Sequence, residues 1–147
     1  MGRLDALREW KFIFGLMIDH IHYENATLPE CCMGVSRMLP QPYKECFSAI
    51  QVRMDGEEGE DFATVYQREI SKLLSQLPLS TEERELVENV IGDAVCPQED
   101  MQVAYLERGV EMLGHRIGMQ EKDIRVKCKL AVELGLLGGL FMVMILL

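Results

Sequence analysis

Leu7, Trp10, Phe14, Met17 and Ile21 recur at alternating steps of three and four, so one side of a helix from about Leu4 to Tyr23 is apolar. The segment Thr27-Leu28-Pro29-Glu30 then reads as a helix start. Thr27 is a good N-cap, Pro29 is tolerated in a first turn, and Glu30 closes a capping box. The helix it opens turns Cys32, Val35 and Leu39 inward and ends before Pro40-Gln41-Pro42. A third helix holds Tyr43, Cys46, Phe47, Ile50 and Met54 on one side. A fourth gathers Phe62, Val65, Tyr66, Ile70, Leu73 and Leu77 and stops at Pro78. Ser80-Thr81-Glu82-Glu83 supplies a second capping box, and the fifth helix follows with Leu86, Val87, Val90, Ile91 and Ala94.

Pro97 opens the last and longest helix. Val103, Leu106, Val110, Leu113, Ile117 and Ile124 keep a heptad-like register that misses its beat only at Gln120. Gly109, Gly114 and Gly118 interrupt this run, each at a cost of roughly 1 kcal/mol against alanine. They mark either close helix packing or a hinge. No segment alternates with a strand's period of two. Short connections between amphipathic helices predict an all-α bundle of about six helices, the last one continuing into a C-terminal transmembrane anchor.

That anchor is the end of the chain. Residues 130–147 read LAVELGLLGGLFMVMILL, with Glu133 as the one charge, within a turn of the start. At about 1.5 Å per residue the stretch spans roughly 27 Å, close to a thin hydrocarbon core. From Leu134 through Gly135, Gly138, Gly139, Leu140 and Phe141 to Leu147 no polar residue interrupts it, so no face could turn to water. Gly135 and Gly139 form a small-xxx-small pair that lets another membrane helix approach. Arg125, Lys127 and Lys129 stand just ahead, and by the positive-inside rule they hold the preceding domain in the cytosol and send the C-terminus across. The expected division is a cytosolic bundle over residues 1–129 and a single membrane helix over 130–147.

Composition narrows the function. A formal charge of −9 argues against nucleic acid as a partner, because phosphates gain nothing from so acidic a surface. Five cysteines at irregular spacing (Cys31, Cys32, Cys46, Cys96 and Cys128) suit reduced thiols better than a disulfide framework. The opening Met1 to Asp5 has no apolar core of a signal peptide. Asp55-Gly56-Glu57-Glu58-Gly59-Glu60-Asp61 lacks the ligand order and closing glutamate of a calcium loop and reads as a solvated acidic turn. His20 and His22, two apart on a helix, cannot share a face for a metal, and His115 is isolated. Adjacent Cys31 and Cys32 suit neither a zinc hook nor a redox pair. No phosphate loop, dinucleotide fingerprint or carboxylate pair stands out, so no cofactor, metal site, small-molecule substrate or catalysis is expected.

Three stretches resemble the stage III sporulation protein AB family of spore-forming Firmicutes. The first runs from Leu16 to Tyr23 and on through Ala26-Thr27-Leu28-Pro29-Glu30. The second is Leu77-Pro78-Leu79-Ser80-Thr81-Glu82-Glu83 with Leu86, followed by Gln102 where the family has a glutamine. The third is Leu134-Gly135-Leu136-Leu137-Gly138-Gly139-Leu140, similar to the family's entry into its terminal membrane helix. His20 replaces a family glutamate, Tyr66 a frequent tryptophan, and Ala94-Val95-Cys96-Pro97-Gln98 a Leu-Gly-x-x-Asp turn; the family's opening hydrophobic segment is also missing. The resemblance implies a place in the mother-cell membrane around the forespore, within a channel complex of stage III proteins that includes a cytosolic ATPase. It further implies likeness to the cytosolic helical domain of type II secretion platform proteins, and so a scaffold that receives the ATPase. Asp55, Glu57, Glu58, Glu60 and Asp61 are then the candidate docking loop. A generic tail-anchored adaptor, and a small membrane-bound enzyme using a Cys/His pair, are the competing readings.

Overall fold

The computed structural model describes residues 2–55 and 61–147, with backbone only at 54 and 55. Among the described residues the chain forms six helices and no strand: α1 (Arg3–Glu24), α2 (Leu28–Ser36), α3 (Tyr43–Asp55), α4 (Phe62–Gln76), α5 (Thr81–Ala94) and α6 (Glu99–Leu146). Both capping boxes form. The Thr27 hydroxyl accepts from the Glu30 N–H at 3.4 Å while the Glu30 carboxylate accepts from the Thr27 N–H at 3.2 Å. Ser80 and Glu83 repeat the arrangement at 3.2 and 2.9 Å. Each box satisfies two backbone donors that a helix start would leave open. α1 ends at Asn25, whose φ of 54° lets the chain reverse, and the Ala26 N–H reaches back to the His20 carbonyl at 3.1 Å.

Each helix packs on its neighbours in sequence and α6 closes against α1, so the helices alternate up and down. The apolar faces read from periodicity all meet inside. Trp10 is fully buried at the centre, its ring 5.8 Å from those of Phe14 and Tyr43 and 6.5 Å from Phe47. Leu7, Met17, Ile21, Cys32, Val35, Val65, Ile70, Val87 and Ile91 complete this core.

Three details differ from expectation. α2 ends at Ser36, so Leu39 is buried from the following turn and not from the helix. α6 begins at Glu99, two residues beyond Pro97. On α6 the buried positions are Leu106, Gly109, Leu113 and Ile117, while Val103 and Val110 are half-buried and Ile124 is 42% exposed. The bundle therefore releases α6 one turn after Ile117, because α1 and α5 have both reached their N-termini there.

Gly109 explains why α6 comes so close. A Cβ at that position would lie 2.8 Å from Val90 Cγ1 and 3.2 Å from Phe14 Cδ2. This is the close-packing role among the two open for the glycines. Gly114 has only the Lys11 side chain nearby and Gly118 nothing within 4 Å, and α6 runs through both as unbroken helix.

Candidate docking cleft and membrane anchor

Ion pairs fix which end of the bundle is which. Arg8 Nη2 donates to Glu121 Oε1 at 2.6 Å, joining the first turns of α1 to the lower part of α6. Arg116 Nη2 donates to Glu82 Oε2 at 2.8 Å, joining α6 to the start of α5. The N-termini of α1 and α5 therefore lie toward the anchor. The turns at Asn25–Thr27 and Val95–Gln98 and the start of α4 at Phe62 lie at the opposite, remote pole.

Below the bundle α6 stands alone. Arg125, Lys127 and Lys129 are all exposed, and Lys127 pairs within the helix to Asp123 at 3.0 Å. Leu134, Gly135, Gly138, Gly139, Leu140 and Phe141 are exposed on every side of the helix, as are their neighbours to Leu147. α6 is long and apolar enough to cross a membrane, and none of its apolar window is buried in the bundle. A soluble core helix would show the reverse. No heavy atom stands within 4 Å of a Cβ placed at Gly135, Gly138 or Gly139, other than their own helix neighbours.

At the remote pole, the α1–α2 and α5–α6 connections and the first residue of α4 line an open cleft of about 500 Å³. Ala26, Leu28 and Pro29 form one wall, Phe62 another, and Val95, Cys96 and Pro97 the third, with Glu99 and Gln102 at the lip. The walls are held. Gln102 Nε2 donates to the Cys96 carbonyl at 2.6 Å, which ties the α5–α6 turn to the first turns of α6. Phe62 stacks on buried Tyr66 with ring centroids 5.2 Å apart. Of the expected docking loop, Asp55 ends α3 and exposed Asp61 caps α4 next to Phe62, whereas Glu57, Glu58 and Glu60 lie outside the described residues.

The charge of this pole is one-sided. Residues 12–36, 54–67 and 85–107 contain no lysine or arginine, and Arg53, in the last turn of α3, is paired with Glu69 at 3.0 Å. Glu24, Glu30, Asp61, Asp93, Glu99 and Asp100 are all exposed within those stretches. The remaining large cleft, also about 500 Å³, lies at the root of the stalk among Arg3, Arg116, Met119, Gln120, Lys122, Asp123 and Val126.

Two buried carboxylates were not visible as sites in the sequence. Glu83 is fully buried; its carboxylate takes hydrogen bonds from Arg3 Nε at 2.8 Å and from the Ser80 N–H. Burial pushes its pKa up, but the hydrogen bonds from Arg3 and Ser80 outweigh this and hold it below the ordinary carboxylate range. Glu69 sits among Arg53 at 3.0 Å, Lys72 at 3.5 Å and Arg68 at 3.9 Å. A signal existed for Glu69: it falls four residues after Val65 and four before Leu73, on the buried face of α4. Both are structural ion clusters within helix contacts.

Three of the five cysteines are core thiols. Cys31, Cys32 and Cys46 are buried, and burial pushes the thiols of Cys31 and Cys46 up to about 12 and that of Cys32 well above its usual value. The Cys31 thiol donates to the Met17 carbonyl at 3.6 Å and the Cys46 thiol to the Glu69 carbonyl at 3.4 Å. His20 instead pairs with Glu24 at 2.7 Å, its ring packed over Gly34. Among the described residues, no three His, Cys, Asp or Glu side chains converge on a point that could hold a metal.

A six-helix bundle whose last helix leaves it as an apolar stalk narrows the comparison. The family profile described as Stage III sporulation protein AB matches residues 1–147. The chain belongs to the stage III sporulation protein AB family. A solved structure titled Stage III sporulation protein AB (SpoIIIAB) superposes with a TM-score of 0.70 at 18% identity, over 84% of this chain and 96% of that one. At that identity the likeness speaks for the shared fold. No curated protein matches the sequence. The family ties the chain to sporulation, and the apolar helix fits a membrane location.

Proposed function

We propose that this sporulation AB protein is a non-enzymatic scaffold of the channel complex between mother cell and forespore. Its bundle stands in the mother-cell cytosol, its C-terminus crosses the membrane, and its cytosolic surface receives a secretion-type ATPase. The observation that carries this is the course of α6, one helix running from a closed bundle into a bare apolar segment. Such a helix fixes a folded domain at a set height above a bilayer, as a platform requires. The basic residues Arg125, Lys127 and Lys129 favour the cytosolic side for the bundle. The warrant for the ATPase is likeness to secretion platform domains, an analogy of fold.

The test is co-purification in detergent of the full chain with the sporulation ATPase of the same organism, followed by a titration of the two purified proteins. Retention of the ATPase at low salt, with loss of sporulation past stage III when the chain is deleted, is the expected pair of results. An ATPase that never associates with the chain in membranes or in detergent would end the platform reading.

A further inference from the structure

We propose that the cleft at the remote pole receives a short cationic segment of a cytosolic partner protein, one large apolar residue set between lysines or arginines. The proposal deepens the scaffold reading and rests on it in taking the partner to be cytosolic.

Three features point to that chemistry. First, the cleft offers apolar surface (Ala26, Leu28, Pro29, Phe62, Val95 and Pro97) interleaved with polar Asn25, Thr27 and Gln102, and about 500 Å³ is within the range of sites that bury a ligand group. Second, the lip is anionic, with Glu24 paired to His20 at 2.7 Å and Arg53, in the last turn of α3, already paired to Glu69 at 3.0 Å. Glu99 and Asp100 open α6 on one side, Asp61 precedes Phe62 on another, and Glu24 and Glu30 flank the Asn25–Thr27 turn. No lysine or arginine lines the cleft, and none stands in residues 25–30, 61–67 or 93–102. Helix dipoles do not reverse this sign. α2, α4 and α6 present their N-termini here and α1, α3 and α5 their C-termini, so the partial charges offset each other and the side chains decide. Third, the walls are held by the Thr27 cap of α2, the Gln102 bond to the Cys96 carbonyl and the stacked Phe62–Tyr66 pair, so little ordering is required on binding.

An acidic peptide would be repelled from this lip, and a lipid surface lies at the wrong end of the molecule. A basic peptide gains twice, by steering at a distance and by burying its anchor residue on contact.

The experiment uses the full chain in neutral detergent and three fluorescein-labelled synthetic peptides, read by anisotropy. One has Leu and Phe set between lysines and arginines, the second carries glutamate for every cation, and the third carries alanine for Leu and Phe. The first is expected to bind at least about tenfold more tightly than either other, and to weaken by about tenfold or more between roughly 0.05 and 0.5 M salt. Ala26→Phe, which fills the cleft, and the pair Glu99→Lys with Asp100→Lys should each abolish this preference. Glu107→Lys with Glu111→Lys, an equal change of charge on exposed positions further down α6, should retain it. Circular dichroism reports folding; if Ala26→Phe does not fold, the exposed pair on α6 decides alone. Equal binding of basic and acidic peptides, or equal losses in the two lysine pairs, would overturn the cleft as the site. The ATPase separates the two readings. Peptide binding intact with no ATPase retained by the wild type strikes the scaffold reading alone. ATPase retained equally by wild type and by the Glu99/Asp100 pair strikes the cleft alone.

Discussion

Gly109 and Gly118 occupy the same helix and ask opposite things of a methyl group. At Gly109 the added carbon would press into Val90 and Phe14, both held by the core, so Gly109→Ala is expected to destabilise by about 1–3 kcal/mol. At Gly118 it would meet open space on an exposed turn, and Gly118→Ala should stabilise by about 1 kcal/mol. Thermal unfolding of the two variants beside the wild type checks both signs. A second contrast concerns acid. The Glu83 carboxylate, held low by Arg3 and Ser80 against the cost of burial, contributes stability that is present above the ordinary carboxylate range. That contribution is lost as pH falls through the lowered folded value. Glu83→Gln should therefore be less stable than the wild type by about 1–3 kcal/mol at pH about 6, and the gap should close toward pH about 3. Melting temperatures of both proteins across that range are the measurement, and a gap that widens in acid would reverse the assignment.

Helix by helix, the apolar periodicity was sufficient to place every element, and both capping boxes formed where Thr27 and Ser80 stand. Legibility failed at positions where a polar residue occupies a core-facing step. Glu69 stands on the apolar step of α4 and Glu83 in a capping box, but what permits their burial is Arg53 or Arg3, which another helix supplies. The cleft was hidden for a related reason. Its walls come from turns some seventy residues apart (roughly residues 26 and 97), and turn proximity is decided by the up-and-down order of the bundle, not by any local pattern. Cysteine burial was readable on α3, where Cys46 follows the apolar step, and only half so on α2, where Cys31 is buried beside Cys32. Maleimide added to the folded protein should accordingly modify exposed Cys128 first and half-buried Cys96 more slowly. Cys31, Cys32 and Cys46, whose thiols are raised by burial, should react only after denaturation, as peptide mass mapping would show. Early modification of Cys32 would mean the core opens locally.

For the molecule as a whole, the decisive division lies along α6 and not between helices. Among the described residues nothing beyond Ile117 is buried, and the Arg8–Glu121 pair ties α6 to the bundle one turn further on. A chain ending at Lys129 is thus expected to remain helical and monodisperse without detergent, with a melting temperature close to that of the full chain. Gel filtration and circular dichroism measure this, and aggregation of the shortened chain would return residues 130–147 to the core. Because α6 is unbroken from Glu99 to Leu146, the remote cleft and the apolar end are two ends of one rod. At about 1.5 Å per residue, Glu99 stands roughly 46 Å above Leu130. Membrane helices commonly lean by about 20°, and a lean of that size would carry the cleft sideways by about 16 Å. The bundle is therefore a lever whose fulcrum lies at the apolar end of α6, and a neighbouring membrane helix that altered the lean would sweep the cleft over an arc wider than a helix diameter.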